Sequence, residues 1–162
     1  MSDYLDYEQS YVGKLRKLTG DMTLIIPAAR AIIRDIDGKI LLIRRRDNGV
    51  WDLPAGGIEL GESITDCLIR EVREETGLEV IEALPLTLQT QPRFSFTNIF
   101  GKKYQMFTMV FLITKWQGNL IKQTNETTDA RFYEINDMPE LSPPHAETIQ
   151  DLQNFTGNLI VK

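Results

Sequence analysis

A chain of 162 residues, 42% hydrophobic and 25% charged, has the composition of one globular domain that can bury a core without disulfides or structural metal. The formal net charge of −5, with no basic stripe, argues against a protein that coats duplex nucleic acid, but a nucleotide substrate stays open if metal ions supply positive potential. The single cysteine, Cys67, excludes an intrachain disulfide. Together with the lack of a signal peptide or an apolar run of spanning length, it sets the expectation of a cytoplasmic protein with no membrane partner.

The spacing of Tyr4, Tyr7, Tyr11, Leu15 and Leu18 predicts an amphipathic helix over residues 3–18, closed by Gly20. Its tyrosine stripe suits docking on the domain or on a second subunit, which makes a homodimer an expectation, and base stacking is the alternative. Leu24 to Arg34 and Lys39 to Arg45 read as strands joined by a turn at Asp37-Gly38. In the first strand Ala28, Arg30 and Ile32 share one face. A guanidinium on so apolar a strand needs a partner, and two readings stand: contact with a substrate phosphate or base, or an internal pair with an acid such as Glu62. Arg44-Arg45-Arg46 closes the second strand and offers one residue that can steer phosphate.

The densest chemistry lies in the 23 residues from Gly56 to Leu78, GGIELGESITDCLIREVREETGL. A glycine loop runs into a helix predicted to start after Gly61, capped at Ser63 or Glu62, and to end at Gly77. Glu71, Glu74 and Glu75 are spaced i, i+3, i+4, so at about 100° per residue they fan over roughly 100° of one face. With Glu71 at zero, Ile64, Thr65, Leu68, Ile69 and Val72 fall between about 20° and 160°, a coherent core face. The glutamates then border the core, while Asp66 and Arg73 point away as ordinary solvated residues. Cys67 falls one turn before Glu71, where a small side chain lets the glycine loop pack. Three adjacent carboxylates repel one another unless cations sit among them, and hard divalent ions that bridge carboxylates to phosphates are the natural guests. Arg70, four residues before Glu74, is placed to brace Glu74 or Glu62.

Beyond the helix, Val80 to Gln91 and Gln105 to Trp116 read as strands, the second apolar on both faces and so covered on both sides. Between them Pro92 to Lys103 carries Arg93, Phe94, Phe96, Lys102 and Lys103. It fits equally a loop that stacks a base and grips phosphate, or a hairpin with an apolar underside. Ala130 to Ile135 is a further strand, and residues 144–154 a helix with His145 at its start, either a substrate contact or a plain surface position. Strands on both sides of the acidic helix, with a helix at the C-terminal end, predict an α/β fold.

Gly56, Glu62 after five intervening residues and the stretch Arg70-Glu71-Val72-Arg73-Glu74-Glu75-Thr76-Gly77-Leu78 fit the Nudix box at each specified position, and the chain resembles the Nudix hydrolase family. The approach Trp51-Asp52-Leu53-Pro54-Ala55-Gly56-Gly57 is also similar, with Ala55 where many relatives carry glycine. The resemblance implies one domain spanning 1–162, an α/β/α sandwich with a mixed sheet, and magnesium-dependent hydrolysis, with manganese a possible substitute. The expected substrate is a nucleoside diphosphate linked to a further group, with ADP-ribose or a nucleotide sugar favoured. It implies Glu71, Glu74, Glu75 and the Ala55 carbonyl as metal ligands, with Glu71 or Glu126 as proton acceptor and Asp129 second to Glu126. Arg70 is counted with the catalytic set, and Glu62, Gly56 and Gly57 with its support. Substrate contacts fall outside the box, on Arg30, Arg93 and Phe94.

Some subfamilies carry a proline or tyrosine marker past the box; here Pro92 lies 14 residues after Leu78 and Phe94 and Phe96 stand where the tyrosine would, so neither marker is matched. Two other activities are consistent with parts of the sequence. One is a triphosphate pyrophosphohydrolase of the sanitation type. The other is a non-catalytic domain that senses a nucleotide, which would not be expected to keep all three glutamates. An interaction protein built on the tyrosine stripe would leave the glutamates unexplained. Magnesium-dependent phosphate release separates the enzymes from the rest.

Overall fold

The computed structural model describes residues 7–162. In chain order these form α1 (Tyr11–Thr19), β1 (Leu24–Ile33), β2 (Ile40–Arg45), β3 (Trp51–Asp52), β4 (Ala55–Gly57), α2 (Ile64–Thr76), β5 (Glu79–Gln89), β6 (Ser95–Thr97), β7 (Lys103–Gln117), β8 (Thr127–Tyr133), α3 (Pro143–Gln153) and β9 (Ile160–Val161). The larger sheet runs β4-β1-β7-β5-β9, with β6 pairing onto β7, and a smaller sheet runs β3-β2-β8. β1 is parallel to β7 and β5 to β9, while the remaining pairs are antiparallel. The mixed character expected from the sequence is present in the larger sheet, while the smaller one is antiparallel throughout.

Alternation along β1 sets the layers. Ala29, Ala31 and Ile33 face α2, where they join Leu41, Ile43, Cys67, Leu68, Val72 and Ala130 in one buried cluster. Ile32 turns the other way and packs with Leu42, Leu86, Val110 and the α3 residues Ile149 and Leu152. At the start of the same strand Leu24 and Ile26 are covered by Val12 and Leu15 of α1, with Tyr104 beside them. Helices thus lie on both faces of the sheet, the sandwich the sequence implied. Central β7 is covered at Val110, Phe111 and Ile113, although Phe107 near its start stays exposed.

The first helix is shorter than its periodicity predicts. Ser10 is extended, at φ −62° and ψ 158°, and its hydroxyl accepts from the Gly13 amide, so the helix begins at Tyr11. Tyr4 and the start of the expected 3–18 helix lie outside the described residues. Leu18 is exposed, whereas Arg16 is buried, donating to the carbonyls of Gly20, Met22 and Lys103 and stacking over Tyr104. Of the apolar side of α1, Val12 and Leu15 are therefore spent on its own sheet and Leu18 is not. Pro92 to Lys103 is a hairpin, a short 3₁₀ turn followed by β6, with Phe94 buried beneath it. No described helix is long and apolar enough to cross a membrane.

Candidate active site

Ser63 caps α2, and the Asp66 carboxylate accepts from the Ser63 amide, so Asp66 closes a capping box rather than simply facing water. Gly77, at φ 73°, ends the helix in the left-handed conformation. Between these caps the helix presents its acids to the strand pair β1–β4. There is little room: a Cβ on Gly56 would lie 2.0 Å from the Glu71 carboxyl carbon. Cys67 packs under the same loop, its Sγ 3.5 Å from the Gly56 carbonyl, and burial pushes its thiol up to about 12, which makes it inert packing.

Carboxylate oxygens of Glu71, Glu75 and Glu126 lie within 4.8 Å of one another. Two of the three come from one helix, and the third comes from the loop before β8, 51 residues further along the chain. That loop is fixed by Arg46, whose guanidinium donates to the carbonyls of Thr124, Asn125 and Thr127 and whose amide donates to the Glu126 carbonyl. Thr124 and Thr127 close it through their hydroxyls. Asp129, the second candidate, is turned away and paired with Arg131.

Arg70 is the hub of the arrangement. Its Nε and Nη2 donate to Glu62 at 2.5 and 3.0 Å, its Nη1 to Glu71 at 2.6 Å and Glu74 at 3.2 Å, and Nη2 also reaches the Gly57 carbonyl at 2.9 Å. One guanidinium thereby fixes helix, loop and three acids in a single geometry. Glu75 is fully buried, with Oε2 accepting from the Ala55 amide at 2.9 Å. The Ala55 amide thus ties the glycine loop to the acids. Arg45 stands 3.9 Å from Glu75, next to a register shift between Arg44 and Arg45 that re-aims the strand end.

The electrostatics report crowding. Burial raises the Glu71 carboxyl to about 7 against the pull of Arg70, with Glu126 and Glu74 adding to the rise. Burial and the neighbouring Glu71 carry Glu75 well above its ordinary range, and burial raises Glu74 as well. Glu74 Oε1 and Glu75 Oε1 are buried with no hydrogen-bond partner. Two unsatisfied buried carboxylate oxygens beside a three-acid cluster are costly unless a cation is shared among them. The donor set is entirely hard oxygen, which fits magnesium or manganese. Glu71, Glu75 and Glu126 would hold the ion, with Glu74 offering its free oxygen at the edge.

The three residues expected to touch substrate lie on the α3 side of the larger sheet. Arg30 is on the α3 side of β1, opposite α2, where its Nη1 donates to Gln89, Thr148 and the Pro144 carbonyl. Of the acids suggested as its partner, Glu62 is held by Arg70 instead, because strand alternation sends Arg30 away from the box helix. Arg93 forms a two-pronged pair with Glu147 of α3 and lies over the buried Phe94 ring, 4.4 Å from its centre. Arg30 and Arg93 thus converge on the first turns of α3. His145 is neither surface nor free: its Nδ1 accepts from the Leu53 amide at 3.0 Å. Burial, with Arg30 and Arg45 nearby, keeps it neutral by moving its pKa well down. The contribution of Arg46 left no trace in the sequence beyond its place in an arginine run, because its partners are backbone carbonyls 78 to 81 residues away.

The family model described as NUDIX domain matches residues 24–152. Over 122 residues the chain is 31% identical to an ADP-ribose pyrophosphatase from Methanocaldococcus jannaschii, a match covering 74% of this chain and 68% of that protein. It is 29% identical over 141 residues to the NAD-capped RNA hydrolase NudC of Vibrio atlanticus, covering 83% of this chain and spanning 47% of that relative, about half its length. A solved UDP-X diphosphatase superimposes with a TM-score of 0.64 at 26% identity, over 98% of this chain and 76% of that one. With an acid cluster, an arginine hub and a glycine loop in the places the box demands, the chain belongs to the Nudix hydrolase family and is a pyrophosphohydrolase of the Nudix type.

Proposed function

We propose that the substrate is a nucleoside diphosphate joined to a further group, of the ADP-ribose or nucleotide-sugar class. Water adds to one phosphorus of the pyrophosphate and the bridging P–O bond breaks, giving a nucleoside monophosphate and the phosphorylated second group. The observation that carries the chemistry is the Glu71, Glu75 and Glu126 cluster, with buried oxygens of Glu75 and the adjacent Glu74 that accept no hydrogen bond. A divalent cation held there would neutralise phosphate oxygens and acidify water. The chain's own residues do the rest. Glu71 or Glu126 takes the proton of the attacking water. Arg70 keeps Glu71 in place, and Arg45, a third exposed, presents positive charge beside the cluster. Arg93 can exchange Glu147 for a substrate phosphate, while Arg30 and Phe94 shape the wall behind it.

The substrate class draws support from what the relatives are named for, an ADP-ribose pyrophosphatase and a UDP-X diphosphatase. The test is a nucleotide panel with magnesium and with manganese, resolved by product. AMP plus ribose 5-phosphate, or a nucleoside monophosphate plus a sugar phosphate, is the expected outcome. Pyrophosphate released from triphosphates at higher kcat/KM would reassign the chain to the sanitation type, and no turnover with either ion would mark a sensing domain.

The acid cluster also gives a pH-dependent stability. Below the ordinary value of 4.5 Glu71 is protonated both folded and unfolded and costs nothing. Its cost grows as pH rises from 4.5 through about 7, where the folded form must carry the charge, and Glu75 extends the trend upward. In EDTA the melting temperature should therefore decline from pH 5 to pH 8. Magnesium should restore it, by more at pH 8 than at pH 5, because protons no longer compete with the ion. An equal magnesium shift at both pH values, read by thermal denaturation, would remove the cluster as the ion's holder.

A further inference from the structure

Helix α1 lies before residue 24, outside the stretch matched by the family model, yet it is joined to the acid cluster by an unbroken chain of hydrogen bonds. The first free amide of α1, that of Tyr11, donates to Glu59 Oε2 at 2.7 Å. The Glu59 amide in turn donates to Glu62 Oε2 at 2.9 Å, and the Glu62 carboxylate receives Arg70. Arg70 holds Glu71 and Glu74. Packing runs alongside: Val12 Cγ2 lies 3.9 Å from where a Cβ on Gly57 would sit, and the Gly57 carbonyl is another acceptor of Arg70. The far end of α1 is anchored separately, by the buried Arg16 on three backbone carbonyls. A helix fixed at its C-terminal end thus offers an orphan N-terminal donor, at the positive end of its dipole, to a carboxylate on the catalytic loop.

We propose that α1 is a positioning element of the active site, and that Glu59 is the residue through which it sets the loop 57–62 and hence Arg70 and Glu71. The idea rests on the function proposed above only for its kinetic readout. Its sharpest test is Tyr11→Pro. Proline is accommodated at the first position of a helix, and Ser10 before it is already extended, so beyond the phenol the substitution deletes one N–H. Tyr11→Ala, which also loses the phenol but keeps the amide, is the control.

The expected result is a kcat lowered by about tenfold in Tyr11→Pro and in Glu59→Ala, with KM within about twofold, the scale on which groups behind the ligands act. Calorimetric Mn2+ affinity of the substrate-free protein should weaken in the same two variants. Tyr11→Ala and Glu59→Gln, which retain donor and acceptor respectively, should recover both readouts. Parental kcat and Mn2+ affinity in Tyr11→Pro and Glu59→Ala would overturn the proposal. So would a raised KM at unchanged kcat, or a Glu59→Gln variant as impaired as Glu59→Ala. Because ion binding is measured without turnover, a wrong substrate assignment leaves this test standing.

Discussion

Glu75→Gln should leave the protein folded and lower kcat by roughly a thousandfold or more, about 4 kcal/mol of barrier, the scale of removing one preorganised charge-stabilising group. Glu75 is fully buried, its Oε1 accepts no hydrogen bond, and Arg45 is 3.9 Å away, so its charge is poorly compensated without an ion. A glutamine keeps an oxygen for the Ala55 amide and turns an NH2 towards acidic neighbours that can accept from it. Removing a buried charge that Glu71 opposes should hold the melting temperature in EDTA at pH 8 at or above the parental value. The magnesium-dependent rise should shrink in parallel. Turnover near the parental rate in magnesium would end the assignment of Glu75 as a ligand, whatever the melting curves showed.

Gly56→Ala is the second large effect, and it separates activity from stability. The added methyl would lie 2.0 Å from Glu71 Cδ and Oε1 and 2.4 Å from Oε2. No real Cβ tolerates that distance, so the carboxylate must move. The end of a glutamate can rotate at modest cost, but here rotation breaks the 2.6 Å bond to Arg70 and withdraws an acid from the cluster. A loss in kcat of about a hundredfold is expected from a displacement of this kind, against a stability change of about 1 kcal/mol. Gly57→Ala should do far less, since its nearest neighbour is Ile26 Cγ2 at 3.4 Å. Paired denaturant melts and steady-state rates decide the point: if Gly56→Ala loses stability in proportion to activity, the glycine serves the fold rather than Glu71.

The sequence was most legible where chemistry and local geometry coincide. The i, i+3, i+4 spacing put Glu71, Glu74 and Glu75 at the edge of the buried face, and the structure finds Glu71 and Glu75 buried with Leu68 and Val72 inside the core. Arg70 was legible as a brace because one of its partners, Glu74, is a helix turn away. Arg46 was not, since backbone carbonyls carry no side-chain signature. His145 misled because a helix N-terminus is ordinarily exposed; here α3 docks on the strand that approaches the box, and Leu53 donates to the ring. Arg30 was legible as a cation needing a partner, and Arg93 as part of a basic and aromatic loop. Which partners they found depended on α3 arriving above them.

What the sequence determined alone was the set of acids on the box helix and much of their relative geometry. A helix fixes the relative directions of residues within one or two turns, and a glycine loop directly before it leaves few places for the acids to go. What only the tertiary structure decided was everything that closes across distance. It brought Glu126 into the cluster from 51 residues beyond Glu75, and α1 onto Glu59 across 48. It also divided the strands between two sheets and sent Arg30 to the face opposite the glutamates. Those outcomes depend on strand register and on which layer each alternate side chain enters, and neither is set by residues near in sequence.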